Sequence, residues 1–190
     1  MRVIAGWLGG RVFDSPHGHR THPMSEKMRG AIFGTLGDIK GLTVLDAFAG
    51  SGALSIEAIS RGAKSALTIE VDKGAHAVIV ANLELFDLTE RVKAVRAFAG
   101  AWSARHQTEQ FDLVLLDPPY DTIPYRDLKR LPRHLAPEGT LVLSWPGKME
   151  LLQFEGLSPV LTKNYGDGQL IFYHHSSRVN NGKRGAASKE

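Results

Sequence analysis

Short apolar segments alternate with amphipathic segments through the middle of the chain. The apolar segments predict strands at Thr43–Phe48, Ser65–Val71, Arg91–Ala97, Phe111–Leu116 and Thr140–Trp145. Segments with helical periodicity between them predict helices at Ala53–Arg61, Lys73–Phe86 and Tyr125–His134. Repeated βα units form a parallel, doubly wound α/β sheet with helices on both faces. The pattern therefore predicts that architecture for the centre of the chain.

The pattern changes toward the C-terminus. Leu157–Tyr165 and Gln169–His174 predict two strands joined by a Gly-Asp-Gly turn, which adds an antiparallel hairpin to give a mostly parallel seven-stranded sheet. Residues 176–190 are mainly Ser, Asn, Gly, Lys and Ala, with little to bury. We therefore expect one main domain over residues 39–175 and a disordered basic tail over 176–190.

The N-terminus predicts a small extension of this domain. Arg2–Ala5 and Arg11–Phe13 read as a short β-hairpin around a glycine-rich turn. A helix is predicted over about Glu26–Leu36, with Ser25 as its N-cap because a serine hydroxyl can accept from the free backbone N–H groups. Residues 1–38 are thus expected to form a hairpin and helix extension.

Composition and charge exclude some kinds of site and favour one kind of partner. No residue is cysteine, which excludes disulfides, cysteine-ligated metals and a cysteine nucleophile. No apolar run is long enough for a membrane span and no secretory h-region is present, so we expect a cytoplasmic protein without a membrane partner. Residues 1–35 hold five Lys or Arg against two acids, and residues 176–190 hold four against one. Two basic ends around a mildly acidic middle favour a polyanionic partner.

A glycine-rich turn follows the first predicted strand. Asp46 ends that strand, and Gly50 and Gly52 let the backbone approach a ligand just before the next helix. No Gly-Lys-Ser/Thr follows, which argues against a triphosphate, and Ser55 replaces the third glycine of a dinucleotide motif. Asp46 favours a positively charged ligand, and Glu70 at the end of the second strand can accept from both hydroxyls of a ribose. The alternatives are a tight turn and a surface acid.

The most specific motif is Asp117-Pro118-Pro119-Tyr120, directly after an apolar strand. The prolines remove backbone donors, so the Asp117 carboxylate and the Pro118 carbonyl form a pair of acceptors. Such a pair can hold the two hydrogens of an exocyclic amine while Tyr120 stacks on the base. The alternative is a proline-rich turn with a packing tyrosine.

Other candidate residues are less specific. The histidines lack ligand spacing, so we expect no metal. Trp102 and Phe98 are expected in the core or in a pocket wall, and Trp145 is expected to line the side of the target base.

Together these motifs resemble the class I S-adenosylmethionine-dependent methyltransferases that modify an amine nitrogen. The N-terminal part resembles the bacterial RsmD family, whose members methylate the N2 amine of one guanine in 16S ribosomal RNA. The resemblance covers roughly residues 1–174 and implies a Rossmann-like class I methyltransferase fold. It rests on the motifs already described and on Met1–Gly6, Gly10-Arg11, Thr21-His22-Pro23 and Arg29–Phe33.

The resemblance implies three sets of site residues. The catalytic set is Asp117, Pro118 and Tyr120. The set that binds S-adenosyl-L-methionine is Asp46, Phe48, Gly50, Gly52, Glu70, Phe98 and Asp117. The set that contacts RNA is Arg2, Arg11, Arg20, His22, Lys27 and Arg29.

Some residues depart from the family pattern. His22 and Met24 stand where the family has arginine and threonine, and Phe98 replaces the acid that contacts adenine, so we expect stacking or backbone groups to hold the adenine. The expected partner is 16S ribosomal RNA or an assembly intermediate of the small subunit, bound by a monomer. The alternatives are a methyltransferase acting on adenine N6 or cytosine N4 of RNA or DNA, and a non-catalytic RNA-binding assembly factor.

Overall fold

A computed structural model describes residues 1–16 and 24–179. Its centre is a seven-stranded sheet in the order β3-β2-β1-β4-β5-β7-β6. The neighbouring pairs from β3 to β5 are parallel, whereas β7 runs antiparallel to both β5 and β6, as predicted. The strands are β1 (Thr43–Asp46), β2 (Ser65–Glu70), β3 (Val92–Arg96), β4 (Phe111–Leu116), β5 (Leu135–Pro146), β6 (Leu157–Tyr165) and β7 (Gly168–His175).

The helices agree with the sequence pattern except around β4. They are α1 (Glu26–Leu36), α2 (Ala53–Ser60), α3 (Lys73–Leu85), α4 (Ala99–Arg105) and α5 (Tyr125–Leu128). The sequence pattern does not predict helix α4, because it is short and contains Gly100. A Cβ on Gly100 would collide with the Asp127 carboxylate of α5, so a larger residue there would have to displace that side chain.

The helix predicted over Tyr125–His134 is too long. Helix α5 ends at Leu128, and a 3₁₀ turn over Leu131–His134 follows it. Pro132 lies in this turn and has no N–H to donate to a continuing α-helix. Strand β5 then begins at Leu135, five residues earlier than predicted, because it pairs with Phe111 at the start of β4.

The sheet is covered on both faces. Neighbouring residues of one strand, such as Val44 and Leu45, belong to two separate apolar clusters because successive side chains point to opposite faces. Helices α1, α2 and α3 cover one face, and α4 with the 3₁₀ turn covers the other. Trp102 lies in this second cluster and is therefore a core residue, which is one of the two places expected for it. Trp145 also lies there at 1% exposure, so the prediction that it lines the side of the target base is wrong.

The N-terminal segment packs into the core of the main domain. Its hairpin is reduced to a bridge between Arg2 and Val12, while Val3 and Phe13 belong to the same apolar cluster as α1 and α2. Glu57 of α2 accepts the backbone N–H groups of residues 4 and 5 at 2.8 and 3.0 Å. The segment is thereby attached to the helix that begins at the glycine-rich turn.

The first residues of the expected disordered tail are ordered. Residues 176–179 are helical, and the Ser176 N–H donates to the Gly156 carbonyl at 2.9 Å. Arg178 forms an ion pair with Glu138 at 3.2 Å. The prediction of disorder is therefore wrong for 176–179, and residues 180–190 lie outside the described part of the chain.

Two features are absent from the described part of the chain. No helix in residues 1–16 and 24–179 is both long and apolar enough to span a bilayer. In the same ranges, no group of three or more acids or histidines is placed to hold a metal ion.

Candidate active site

The site lies where the order of the strands reverses. β1 is flanked by β2 on one side and by β4 on the other, so the chain leaves the carboxyl ends of β1 and β4 in different directions. The Ala47 N–H donates to the Leu115 carbonyl at 3.2 Å, which holds the two strand ends together. Ligands of doubly wound sheets bind at such a switch point. The glycine-rich turn and the Asp-Pro-Pro-Tyr motif therefore meet there.

Glycine is required at two positions of the turn. Gly50 and Gly52 have φ angles of 56° and 76°, which side-chain-bearing residues rarely adopt. Gly52 is the N-cap of α2, and its hypothetical Cβ would contact Ile79 of α3 at 3.4 Å. At Gly50 the equivalent position is open, with no atom within 4 Å. The turn therefore presents bare backbone at Gly50, next to the start of a helix.

Asp46 is a buried carboxylate that the protein satisfies only on one side. Its Oδ2 accepts the Ser55 N–H at 3.2 Å and the Ser55 hydroxyl at 2.9 Å, whereas its Oδ1 has no partner among the described residues. Burial raises the pKa of Asp46 to about 7; the bonds from Ser55 oppose this shift, and the negative charges of Asp117 and Glu70 add to it. Asp46 is 0% exposed in this structure, so its contact with a cofactor stays a prediction.

Glu70 connects its strand to the turn. Its Oε2 accepts the Gly50 N–H and its Oε1 accepts the Asp72 N–H, both at 2.8 Å. Each carboxylate oxygen has a second lone pair, so Glu70 can hold the turn and still accept from a ligand hydroxyl. The contact with a ribose stays a prediction.

The acceptor pair lies at the end of β4. Asp117 is half-buried, and burial raises the pKa of its carboxyl to about 6, while the nearby Ser144 hydroxyl lowers it. Within residues 1–16 and 24–179, no hydrogen bond ends on the carbonyl of Pro118, a buried residue, so this oxygen has no partner in the protein. Tyr120 is 37% exposed, and its hydroxyl is 2.7 Å from Ser144 Oγ. The three predicted catalytic residues are therefore brought together.

Ser144 was not identified from the sequence. It is a buried polar residue in β5, next to β4; its hydroxyl contacts that of Tyr120, and it lowers the pKa of Asp117. A signal was present, since Ser144 is the one polar residue in the apolar run Leu141–Trp145. A serine in a central strand needs a hydrogen-bond partner, and here the partners belong to the site.

Two aromatic residues border the turn and the end of β3. Phe48 is half-buried beside the turn. Phe98 directly precedes α4 and is 66% exposed, so it is not part of the core, and its place in a pocket wall stays a prediction. An exposed aromatic ring at a strand end offers a flat apolar surface to a base. Its contact with the adenine of a cofactor stays a prediction.

The residues predicted to bind RNA differ in their exposure to solvent, and some lie outside the described part of the chain. Arg2 and Lys27 are exposed, although Arg2 pairs with Glu26 at 2.9 Å. Arg11 is exposed, with its guanidinium 4.6 Å from the centre of the Phe86 ring. Arg20 and His22 lie outside the described residues.

Arg29, which was also predicted to bind RNA, lies inside the protein. Its side chain is fully buried, donates to the carbonyl of Arg2, and lies 3.7 Å from Glu57. A guanidinium without solvent contact cannot reach RNA in this structure, so its assignment to RNA binding is wrong. The reason is that α1 places it between the N-terminal segment and α2, where it helps to neutralise Glu57.

The family model described as Conserved hypothetical protein 95 matches residues 1–174, almost the whole described chain. The chain belongs to this family, the RsmD family. The family resemblance inferred from the motifs is confirmed.

Relatives of this RsmD-family chain agree with that assignment. YlbH of Bacillus subtilis (strain 168) is 36% identical over 123 residues, which cover 63% of this chain and 67% of YlbH. Ribosomal RNA small subunit methyltransferase D of Escherichia coli (strain K12) is 32% identical over 121 residues, which cover 63% of this chain and 60% of the relative. The chain thus aligns with about three fifths to two thirds of these relatives.

Solved structures identify the fold. The Escherichia coli protein yhhF has a TM-score of 0.82 and 27% identity, covering 92% of this chain and 97% of that chain. The RsmD-family chain therefore has the predicted Rossmann-like class I methyltransferase fold. SMU.776, a putative methyltransferase that shares this fold with a TM-score of 0.62 and 17% identity, was solved in complex with SAH.

Proposed function

We propose that this protein methylates the N2 amine of a guanine in 16S ribosomal RNA, with S-adenosylmethionine as the methyl donor. The observation that carries the proposal is the acceptor pair of Asp117 and Pro118, placed at the switch point beside the glycine-rich turn. The family and its relative in Escherichia coli, named as a methyltransferase of small-subunit ribosomal RNA, support the same conclusion.

The turn fits a cationic cofactor. Asp46, Glu70 and Asp117 interact electrostatically at the strand ends, and the negative charges of the other two raise the pKa of Asp46. S-adenosylmethionine carries a sulfonium whose methyl group is electrophilic, together with an ammonium group. Asp46, Gly50 and Gly52 would hold its methionine part, and Glu70 its ribose. A cation among three carboxylates lowers their mutual repulsion, which a phosphate ligand would increase.

The acceptor pair prepares the amine of the target base. The lone pair of an aromatic amine is delocalised into the ring, which makes the nitrogen a poor nucleophile. Hydrogen bonds from the amine to the Asp117 carboxylate and the Pro118 carbonyl localise this lone pair and stabilise the positive charge that develops. Tyr120 stacks on the base, and Asp117 or water receives the proton that the nitrogen loses.

The target base must leave its helix to reach this site. Amine hydrogens engaged in base pairing cannot contact Asp117, so the guanine is unpaired or flipped out. The exposed cations Arg2, Arg11 and Lys27 hold the phosphate backbone nearby. We further propose that the protein acts in the cytoplasm, as a monomer, on this RNA or on an assembling small subunit.

Transfer of labelled methyl groups tests the proposal. Small subunits and naked 16S ribosomal RNA from cells lacking the protein are incubated with labelled S-adenosylmethionine, and the modified nucleoside is identified by mass spectrometry. N2-methylguanosine is expected. Label on adenine N6 or cytosine N4, or only in DNA, would identify another amine methyltransferase, and absence of cofactor binding in calorimetry would favour a non-catalytic assembly factor.

A substitution tests the role of the acceptor pair. Asp117→Ala is expected to lower methyl transfer by at least about a hundredfold, the effect of removing one electrostatic group from such a site. Binding of the cofactor, measured by calorimetry, should fall much less than turnover, because Asp46 and Glu70 remain. Asp121→Ala is the matched control, since Asp121 is an exposed carboxylate just after the motif. Unchanged turnover of Asp117→Ala would refute the assignment.

A further inference from the structure

We propose that a strip of cations on α5 and the following 3₁₀ turn holds the phosphate backbone of the substrate RNA, on the face of the sheet opposite to the N-terminal segment. The cationic strip consists of Arg126, Lys129, Arg130 and Arg133. This inference rests on the proposed function and gives its RNA a second protein surface. The sequence motifs do not assign these residues to RNA, because they lie in the mildly acidic middle of the chain.

The local sequence places the four cations on the outside of this segment. They are spaced i, i+3, i+4 and i+7, which is the spacing of one helical face, and the two residues between α5 and the 3₁₀ turn also have right-handed helical backbone angles. Leu128 and Leu131 are fully buried in the apolar cluster against the sheet. Three of the four cations are exposed, and Arg130 is half-buried. The segment is thus apolar toward the sheet and cationic toward solvent.

The cationic strip starts beside the proposed active site. Tyr125 begins α5, and its ring lies 5.9 Å from the ring of Trp145 near the end of β5. Trp145 directly follows Ser144, whose hydroxyl contacts that of Tyr120. The segment then returns along the sheet, since β5 begins opposite Phe111 at the start of β4. The four cations therefore extend away from the target base over roughly 12 Å, at a helical rise of about 1.5 to 2 Å per residue.

The described part of the protein does not neutralise these charges. Among the described residues, none of the four cations forms an ion pair, whereas four other arginines do. Asp127, the one acid in residues 125–134, is directed at α4, where a Cβ on Gly100 would collide with its carboxylate. Positive charge concentrated on one face attracts a polyanion.

A hollow between the 3₁₀ turn and the start of β6 gives the cationic strip a concave part. Its volume is about 290 Å³, and the charged residues that line it are Lys129, Arg130, Arg133 and Glu155. Three cations thus face one acid, and the planar fork of an arginine matches two oxygens of a phosphate. Since the cationic strip begins at the site for the target base, the phosphates of the same RNA are the anions placed to reach it.

Charge-removing variants test the cationic strip. Arg126→Gln/Lys129→Gln/Arg133→Gln keeps long polar side chains at the three exposed positions and leaves the half-buried Arg130 in place. Binding to 16S ribosomal RNA, and to small subunits from cells lacking the protein, is measured over a range of salt concentrations. The affinity is expected to fall at least about tenfold at low salt, and the salt slope by about 0.7 to 0.9 for each phosphate that is no longer neutralised.

The kinetics of methyl transfer separate RNA binding from a structural role. The cationic strip contacts RNA away from the target base, so the KM for RNA should rise while kcat at saturating RNA stays close to that of the wild type. Calorimetry should show unchanged binding of S-adenosylmethionine. A lower kcat with an unchanged KM would overturn the inference.

A matched variant separates the cationic strip from general electrostatic attraction. Lys40→Gln/Lys64→Gln/Lys93→Gln removes the same charge from three exposed lysines at the amino ends of β1, β2 and β3. Its RNA affinity and salt slope should stay close to those of the wild type. Equal losses in the two triple variants, or none in the strip variant, would contradict the proposal.

Anionic vesicles test the other polyanionic surface that such a strip could meet. If the strip variant lost binding to vesicles containing phosphatidylserine while its RNA affinity was unchanged, the cationic strip would be a membrane surface and the inference would be wrong. Binding of the wild type to RNA but not to these vesicles is expected.

The same experiments distinguish this inference from the proposed function. If the wild type transfers methyl groups to ribosomal RNA and the strip variant does so with the same KM, the cationic strip alone is refuted. If the wild type neither binds nor methylates RNA, the proposed function fails and the cationic strip fails with it.

Discussion

Glu57 and Asp46 are both buried carboxylates next to α2, and the protein treats them differently. Glu57 accepts two backbone N–H groups and the Arg61 guanidinium at 2.7 Å, and Arg29 lies 3.7 Å away. Asp46 interacts only with Ser55, and one of its oxygens has no partner among the described residues. Both residues are almost inaccessible to solvent.

The difference shows that the chain itself compensates the charge of Glu57 more fully than that of Asp46. Burial of a carboxylate is costly unless donors or cations compensate it. Around Glu57 the compensation comes from the chain itself, and it joins the N-terminal segment, α1 and α2. Around Asp46 the donors come from Ser55 alone, and the nearby charges of Asp117 and Glu70 are negative, so the chain compensates this carboxylate less than Glu57. The strand ends are thus less stable than they could be, and the cationic cofactor proposed for this site would offset that cost.

The largest expected effect concerns the compensated pair. Glu57→Gln is expected to lower the free energy of unfolding by about 3–5 kcal/mol, because the buried Arg29 loses its counter-charge. Urea denaturation measures the loss. Adding Arg29→Met to Glu57→Gln removes the unpaired cation and should restore part of the stability.

An exposed ion pair provides the control for this effect. Glu26→Gln breaks the pair with Arg2 at the protein surface, where water replaces the interaction, so the unfolding curve should hardly move. If Glu57→Gln were as mild as Glu26→Gln, the Glu57 interactions would not hold the N-terminal segment in place.

Replacing Asp46 should raise the free energy of unfolding, whereas replacing Glu57 lowers it. Its pKa of about 7 lies above the value in the unfolded chain, so the free protein binds the proton more tightly when folded, and stability falls as the pH rises from about 4 to 7. Asp46→Asn removes this cost and should raise the free energy of unfolding at pH 8 by about 2 kcal/mol. Part of the pH dependence of unfolding should disappear with it.

The substitution Asp46→Asn should also weaken the binding of the cofactor. Calorimetry is expected to show S-adenosylmethionine binding weakened by about ten- to a hundredfold in Asp46→Asn, the size of a lost charge-assisted hydrogen bond. A variant that is less stable than the wild type, or that binds the cofactor equally well, would contradict the view that Asp46 is left for a ligand.

The smallest effect is expected at Ser144. Asp117 must be ionised to accept from the amine, so activity should fall as the pH drops through about 6, the pKa of this carboxyl. Ser144 lowers that pKa, and Ser144→Ala should therefore move the acidic limb of the kcat/KM profile to higher pH, with less effect on the plateau. Ser144→Thr keeps the hydroxyl and should restore the profile.

Another serine in the sheet serves as the control for this prediction. Ser158 in β6 interacts with Ser176 at 2.9 Å, at the opposite end of the sheet from Asp117. Ser158→Ala should leave the pH profile unchanged. A uniform loss of activity in Ser144→Ala at every pH would assign Ser144 a purely structural role.

The sequence alone determined the order of the elements and the local chemistry of the site. Apolar strands followed by amphipathic helices specified the sheet, and Asp46, Gly50 and Asp117 stood in recognisable positions at strand ends. Such features depend on residues close in sequence, for which periodicity and turn chemistry are direct evidence. Helix α4 was not predicted from the sequence, because its glycine lies against Asp127 of α5, and such a contact between elements leaves no local pattern.

Only the tertiary structure decided which polar residues face solvent and which meet one another. Arg29 looks like a surface cation in the sequence, yet α2 and the N-terminal segment enclose it. Ser144 acquires its role from a partner on another element, namely Tyr120. The physical reason is that burial and hydrogen bonding depend on the packing of distant segments, whereas a local pattern specifies only the conformation of the segment that carries it.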